Sequence, residues 1–163
     1  MALIRKYPFD PSVKHNLILA LALGVWIFIF LYVTQPLDVH ELDRGEQLYH
    51  LPFYALLGTI SYLIIFPLQY LIRNFFGGPW TILHELSFII VLIGVVWVGT
   101  WNYYYYGVME QHPYAYTFSY YSTAIFFPAI STILPPLILG RFGFGKYKEK
   151  KLEEQKIEIQ GSG

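Results

Sequence analysis

The chain contains no cysteine and carries little charge. With no cysteine among 163 residues, it lacks the side chain needed for a disulfide, a thiolate nucleophile or a cysteine-ligated metal site. Only 13% of its residues are charged and 55% are hydrophobic, whereas soluble domains carry roughly 25% charged residues. Because so few charges cannot cover the surface of a soluble domain, the composition predicts an integral membrane protein.

Long apolar stretches make up most of the chain. Four of them predict transmembrane helices, at about residues 17–35, 51–72, 82–102 and 117–139. The expected fold class is therefore all-α: a polytopic membrane protein whose domain, residues 17–139, is a bundle of four transmembrane helices. Residues 1–16 are expected to form a cytoplasmic N-terminal tail, and residues 140–163 a short, charged cytoplasmic linker.

Prolines set the expected helix boundaries and bends. Pro52 stands at the start of the second stretch, where its missing N–H costs nothing, and Pro67 inside the same stretch should kink the helix. Pro135 and Pro136 predict a bend or the last turn of the fourth helix.

Lysine and arginine are unevenly distributed between the predicted loops. Three precede the first helix and six follow the fourth. The first connection contains only Arg44, the second contains only Arg73, and the third contains no lysine or arginine. If both termini are cytoplasmic, ten of the eleven basic residues lie on the inner side, as the positive-inside rule requires. We therefore expect an N-in, C-in orientation.

The first connection is acidic and contains histidines. Carboxylates and imidazoles this close together can bind a divalent cation, and the candidates are Asp38, His40, Glu41 and His50. They lack a strict ligand spacing, so a solvated acidic loop is the favoured interpretation and no metal site is expected.

A charge stands close to the hydrocarbon at the start of the third helix. An ionisable residue there is a functional-site hypothesis by default, which makes Arg73, His84 and Glu85 candidates for interface charges. The favoured alternative is structural. Glu85 near a helix N-terminus is stabilised by the helix dipole, with Arg73 as its ion-pair partner.

Eight tyrosines lie between residues 103 and 121. An aromatic belt at the outer interface accounts for about half of them. The rest suggest a shallow aromatic pocket for a lipid-like signal. The candidate sensing residues are Tyr103, Tyr104, Tyr105, Tyr106, Glu110 and His112.

The sequence offers no sign of catalysis. It has no HExxH motif, phosphate loop, paired-carboxylate site or nucleophile–base pair. We therefore expect that the protein is not an enzyme, with no catalytic residue, cofactor or small-molecule substrate, and that its main partner is the lipid bilayer.

Four short stretches occur in a recognisable order: KYPFDPSVKHNL at 6–17, FLYVTQPL at 30–37, PWTILHE at 79–85 and NYYY at 102–105. Together they resemble the multi-span N-terminal region of membrane-bound LytTR-family transcriptional regulators of the Bacteroidetes type. The segment 152–163 looks like the linker and first strand that lead into the LytTR DNA-binding domain, which is absent from this chain.

The resemblance implies a function and a location. The chain would be the membrane anchor and sensor module of a transcription regulator in the bacterial inner (cytoplasmic) membrane, passing a signal through the C-terminal linker. It would act as a homodimer and reach DNA only through the missing domain. The alternative is a stand-alone small four-helix membrane protein, either a transporter accessory subunit or a lipid-binding protein.

Overall fold

The computed structural model describes residues 5–35, 43–108 and 116–161, with side chains as far as residue 158. Every regular element in these ranges is helical. The α-helices are α1 (Val13–Thr34), α2 (Arg44–Ile65), α3 (Leu68–Phe76), α4 (Ile82–Tyr103), α5 (Phe118–Tyr120) and α6 (Phe127–Gly161). Two π-helical turns, Tyr104–Val108 and Tyr121–Phe126, follow α4 and precede α6.

Four helical segments in the described ranges are long and apolar enough to cross a bilayer: Val13–Thr34, Arg44–Phe76, Ile82–Val108 and Phe118–Glu158. Many of their large apolar side chains point outward, and Val33, Ile64 and Ile90 are 66–74% exposed. Lipid chains are the solvent that suits such a surface. The prediction of an all-α membrane protein with a four-helix bundle is confirmed.

The second helix begins earlier than predicted. A capping box starts α2, because Asp43 Oδ1 accepts a hydrogen bond from the Glu46 amide at 2.8 Å, and the Glu46 carboxylate accepts from the Asp43 amide. Such a cap satisfies two free amides at once, so the helix starts at Arg44 and not at Leu51. Pro52 therefore lies inside the helix and not at its start.

The predicted kink at Pro67 is confirmed. The α-helix breaks at Phe66 and Pro67, and α3 continues to Phe76. The two helices together cover 33 residues, which at about 1.5 Å per residue is longer than a ~30 Å hydrocarbon core. Gly77 and Gly78 then turn the chain with φ angles of 68° and 72°, which glycine adopts without strain.

The Pro135–Pro136 pair is not the last turn of the fourth helix, because α6 continues through it to Gly161, and the charged segment after residue 139 is helical. Prolines are tolerated in membrane helices when neighbouring groups satisfy the carbonyls that they leave free. Lys150 and Glu154 form an i,i+4 ion pair at 3.9 Å beyond this point, and such pairs support a helix. The β-strand implied at the end of the chain is likewise contradicted, because residues 157–161 belong to α6.

The core of the bundle holds α1 against α2 and α6. Gly24 lets α1 approach α2 so closely that a Cβ there would collide with Thr59, whose hydroxyl donates to the Ala20 carbonyl at 3.3 Å. Gly140 of α6 packs on Leu19 of α1 in the same way. Small residues at such contacts are typical of membrane helices. As a result, α6 is fixed against α1 near the point where its charged segment begins.

Candidate functional site

The N-terminal segment, residues 5–12, is docked against the bundle. The Tyr7 amide donates to the Trp80 carbonyl at 2.8 Å, and the Ile82 amide donates to the Arg5 carbonyl at 3.1 Å. Phe9 stacks on Trp80 with ring centroids 4.3 Å apart. Pro8 and Pro11 favour an extended backbone for the residues before them. The segment therefore lies along the start of α4 like a short added strand.

The other side of this segment contacts α6. A Cβ on Gly145 would lie 2.8 Å from the Phe9 backbone nitrogen and closer still to the Pro8 carbonyl group, so only glycine fits there. Lys148 approaches Asp10 at 3.6 Å, and Lys6 approaches Glu149 at 3.1 Å. The N-terminal segment is thus held between the start of α4 and residues 145–149 of α6.

A buried ion pair lies next to the docked segment. Arg141 of α6 donates to both carboxylate oxygens of Glu85 at 2.5 and 3.0 Å, and each side chain is only 5% exposed. The Trp80 indole donates to the same carboxylate at 2.9 Å. Two parallel bonds between a guanidinium and a carboxylate are the strongest form of this contact, so α4 and α6 are joined firmly at this level.

The remaining donors of Arg141 extend the contact to the other helices. Its third nitrogen donates to the Tyr62 hydroxyl at 2.8 Å, and that hydroxyl donates to Asn16 Oδ1 at 2.7 Å. The Asn16 amide in turn donates to the backbone carbonyls of Asp10 and Ser12 at 3.0 and 2.9 Å. We call these residues the Arg141 network: Asn16, Tyr62, Trp80, Glu85 and Arg141.

The Arg141 network joins every long helix of the bundle. Asn16 belongs to α1, Tyr62 to α2, Glu85 to α4 and Arg141 to α6. Buried polar groups are costly unless all of them are paired, and here the guanidinium also lies 4.2 Å above the Phe88 ring. The Arg141 network therefore has a structural role: it fixes the rotation of α6 about its axis and its position along that axis relative to the other three spans.

Asp10 fastens the docked segment through its side chain. The carboxylate accepts hydrogen bonds from His15 and from the Ser12 amide, the latter at 2.9 Å. Burial raises the pKa of the Asp10 carboxyl, but the hydrogen bonds from His15 and Ser12 outweigh it and the pKa is lowered from 3.8. Hydrogen bonds to the charged form of an acid have this effect. The ionised carboxylate is therefore the form that stabilises the docked segment.

This pKa predicts how stability depends on pH. An acid with a lowered folded-state pKa stabilises the fold above its unfolded pKa, and the contribution is lost as pH falls through the folded value. The stabilisation of wild type relative to Asp10→Asn should shrink as the pH falls below about 4. Unfolding in detergent at a series of pH values measures it. A constant difference down to pH 2 would contradict the assignment.

The interface charges predicted from the sequence are placed differently from one another. Glu85 is buried in the Arg141 network and pairs with Arg141. The predicted ion pair between Glu85 and Arg73 is wrong, because Arg73 is exposed on α3. His84 is buried, and its Nδ1 accepts from the Thr81 amide at 3.0 Å as part of the cap of α4. The sequence thus identified Glu85 as a site candidate but assigned it to the wrong cation.

The four consecutive tyrosines divide into two pairs. Tyr103 stacks on Phe53 with centroids 4.9 Å apart, and Tyr104 is buried against Tyr121. Tyr105 and Tyr106 are 44% and 66% exposed. The first pair belongs to the packing between helices, whereas the second suits the aromatic belt. Glu110 and His112 lie outside the described residues.

The metal candidates of the first connection are only partly described. His50 is buried, and its Nδ1 lies 2.8 Å from the Tyr103 hydroxyl, so it joins α2 to α4. Asp38, His40 and Glu41 lie outside the described residues.

Sequence reasoning missed the centre of the site. Arg141 was assigned to the solvated tail because it is the first charge after an apolar stretch. One signal favours burial: Arg141 is followed by Phe142, Gly143, Phe144 and Gly145 before the next charge. A single arginine embedded in apolar residues needs a buried carboxylate, and Glu85 is the acid inside a predicted span.

Comparisons of the chain with protein-family models, with curated proteins and with solved structures gave no match.

Proposed function

We propose that this chain is the membrane anchor and sensor module of a LytTR-type transcription regulator in the bacterial inner membrane. It would pass a signal through α6 to a DNA-binding domain that would follow Gly163, and the regulator would act as a homodimer. The proposal rests on the sequence resemblance and on one structural observation, the unbroken course of α6 from the bundle to Gly161.

The length of α6 supports this role. Its 35 residues extend about 52 Å at 1.5 Å per residue, which is well beyond a ~30 Å hydrocarbon core. The Arg141 network fixes this helix to the other three spans close to the middle of its length. A change in packing among the spans would therefore rotate or shift the charged end of α6, and a rigid helix carries such a shift to an attached domain.

The distribution of charge supports an N-in, C-in orientation. The N-terminal segment, the turn before α4 and residues 145–149 of α6 contact one another, so their basic residues gather at one end of the bundle. Arg44 begins α2 at the opposite end. The positive-inside rule then favours the first end as cytoplasmic.

The absence of cysteine makes this orientation directly testable. Single variants Arg44→Cys and Lys151→Cys place the only thiol of the chain at opposite ends of the bundle. In intact cells a membrane-impermeant maleimide should label Arg44→Cys, and it should label Lys151→Cys only after the membrane is permeabilised. The reverse pattern would overturn the N-in, C-in orientation.

The regulator role is tested by the coding sequence beyond Gly163. An in-frame basic domain rich in β-strands would support it, and a stop codon directly after Gly163 would refute it for this chain. In that case the second candidate, a stand-alone lipid-binding membrane protein, would be favoured by the apolar cleft described next.

A further inference from the structure

An apolar cleft opens between α1, α2, α4 and α6, on the side of the bundle away from the Arg141 network. Its cavity volume is about 70 Å³, several times the roughly 10–15 Å³ that one water molecule needs, so the cleft can hold a short run of methylene groups. Its walls include Leu31, Leu51, Val96, Ile130 and Ile133. Among the described residues, no lysine, arginine, aspartate, glutamate or histidine lines it, so none of them offers a charged group a partner there.

One polar group in this wall is left without a partner. The Tyr54 hydroxyl is buried and makes no hydrogen bond with the described residues. Its ring is held edge-on against Tyr103 at 5.0 Å, so the hydroxyl is positioned by packing. A buried hydroxyl is stable when it is hydrogen-bonded. The cleft thus offers an apolar surface with one hydroxyl, that of Tyr54, that no described residue pairs.

A π-helical turn forms another part of the wall. Tyr121, Ile125 and Phe126 line the cleft, and all three belong to the turn Tyr121–Phe126. Such turns are rare and occur frequently at functional sites. The α-helical alternative would rotate these side chains relative to α6, so the turn is part of what shapes the cleft.

We propose that the cleft holds the first methylene groups of one acyl chain of a bilayer glycerolipid, whose ester carbonyl accepts a hydrogen bond from Tyr54, while the rest of the chain stays in the bilayer. Tyr54 lies three residues beyond Leu51, the first residue of the apolar stretch, or about 5 Å along the helix. Ester carbonyls lie at this boundary between headgroups and hydrocarbon. The charged headgroup stays outside, as the uncharged walls require. This binding site does not depend on the proposed regulator role.

Native mass spectrometry of the purified full chain tests the proposal with two probes. These are dioleoyl phosphatidylglycerol and its diether analogue, which has the same chains and headgroup but no ester carbonyl. Wild type should retain one diester molecule, about fivefold more than the diether, as one neutral hydrogen bond predicts. Tyr54→Phe should reduce diester retention to the diether level. Tyr32→Phe removes a tyrosine hydroxyl from a residue that is 53% exposed on α1 and should change nothing.

A second pair of variants tests the cleft itself. Ala129→Phe fills the cleft from α6, whereas Ala124→Phe adds the same ring at an exposed position of the π-helical turn before it. Retention should be lost in the first variant and kept in the second, with equal helix content by circular dichroism. Equal retention of the two lipids by wild type, no effect of Tyr54→Phe, or retention by Ala129→Phe would each overturn the proposal. So would retention of an added isoprenoid quinone in preference to the diester lipid.

Discussion

Replacing Arg141 with methionine should lower the free energy of unfolding by about 3–5 kcal/mol, the usual cost of removing one partner from a buried ion pair. Methionine keeps much of the aliphatic length, so the apolar packing of this side chain beside Phe88 is largely preserved. The loss comes from Glu85, whose carboxylate would stay 95% buried with only the Trp80 indole as a donor from this network. Tyr62 would also lose the donor that orients its hydroxyl.

A double variant separates the ion pair from simple packing. Glu85→Gln with Arg141→Met removes both charges, so no uncompensated ion is left in the bundle, and buried pairs replaced in this way cost little or nothing. The double variant should therefore be more stable than Arg141→Met alone. Lys146→Met is the matched control, because the Lys146 side chain is 59% exposed and pairs with Glu149 at the surface. Its expected cost is below about 1 kcal/mol.

The measurement is reversible unfolding in mixed micelles, with helix content as the readout. If Arg141→Met and Lys146→Met lost equal stability, the buried Arg141–Glu85 pair would not be what holds α6 against the other helices. If the double variant lost as much stability as Arg141→Met and Glu85→Gln, each measured alone, lose together, the two charges would be acting independently.

The bundle itself was predictable because its signal is compositional. Each span needs only an uncharged stretch of sufficient length, and the stretches at Leu17, Leu51, Ile82 and Thr117 supply it. The kink at Pro67 follows from one missing amide. These features depend on residues adjacent in sequence, so they can be read without knowing how the helices pack.

The helix ends and the Arg141 network depend on competition and on distant contacts. The predicted start of α2 followed the apolar stretch and Pro52, and it lay too late because the cap formed by Asp43 and Glu46 begins the helix before that stretch. Arg141 and Glu85 are 56 residues apart, and nothing local pairs them. Arg73 is closer along the chain, but it lies on the exposed side of α3. Partner choice in a bundle is set by the packing of whole helices.

The same logic explains why the N-terminal segment was expected to be a tail. It contains three charged residues, Arg5, Lys6 and Asp10, and two prolines, which is typical of a solvated end. What docks it is the chemistry of its neighbours: the free carbonyl of Trp80, the aromatic face of the same residue and the flat surface that Gly145 gives to α6. None of these lies within 60 residues of the segment. A resemblance at 6–17 marked the segment without saying what it contacts.

Gly145→Ala should lower the free energy of unfolding by about 1–3 kcal/mol, because the added methyl group meets the Pro8 and Phe9 backbone, which cannot move as a flexible side chain can. Gly143→Ala is the matched control, since a Cβ there meets nothing within 4 Å. Alanine is favoured over glycine in a helix by about 1 kcal/mol, so Gly143→Ala should raise stability. The two variants differ in position by two residues and are expected to act in opposite directions.

Release of the docked segment gives a second readout for the same pair. Gly145→Ala should release the backbone around Arg5 and Lys6, which is hydrogen-bonded to the start of α4, so that trypsin removes the N-terminus faster than in wild type. Gly143→Ala should be cut at the wild-type rate. If both variants gained stability and resisted trypsin equally, the contact between α6 and the N-terminal segment would not exist in the membrane. If Gly145→Ala alone lost stability and was cut faster, α6 would be held by the N-terminal segment at Gly145 as well as by the ion pair at Arg141. A helix held at two points four residues apart has a fixed rotation, which is the property that transmission through α6 requires.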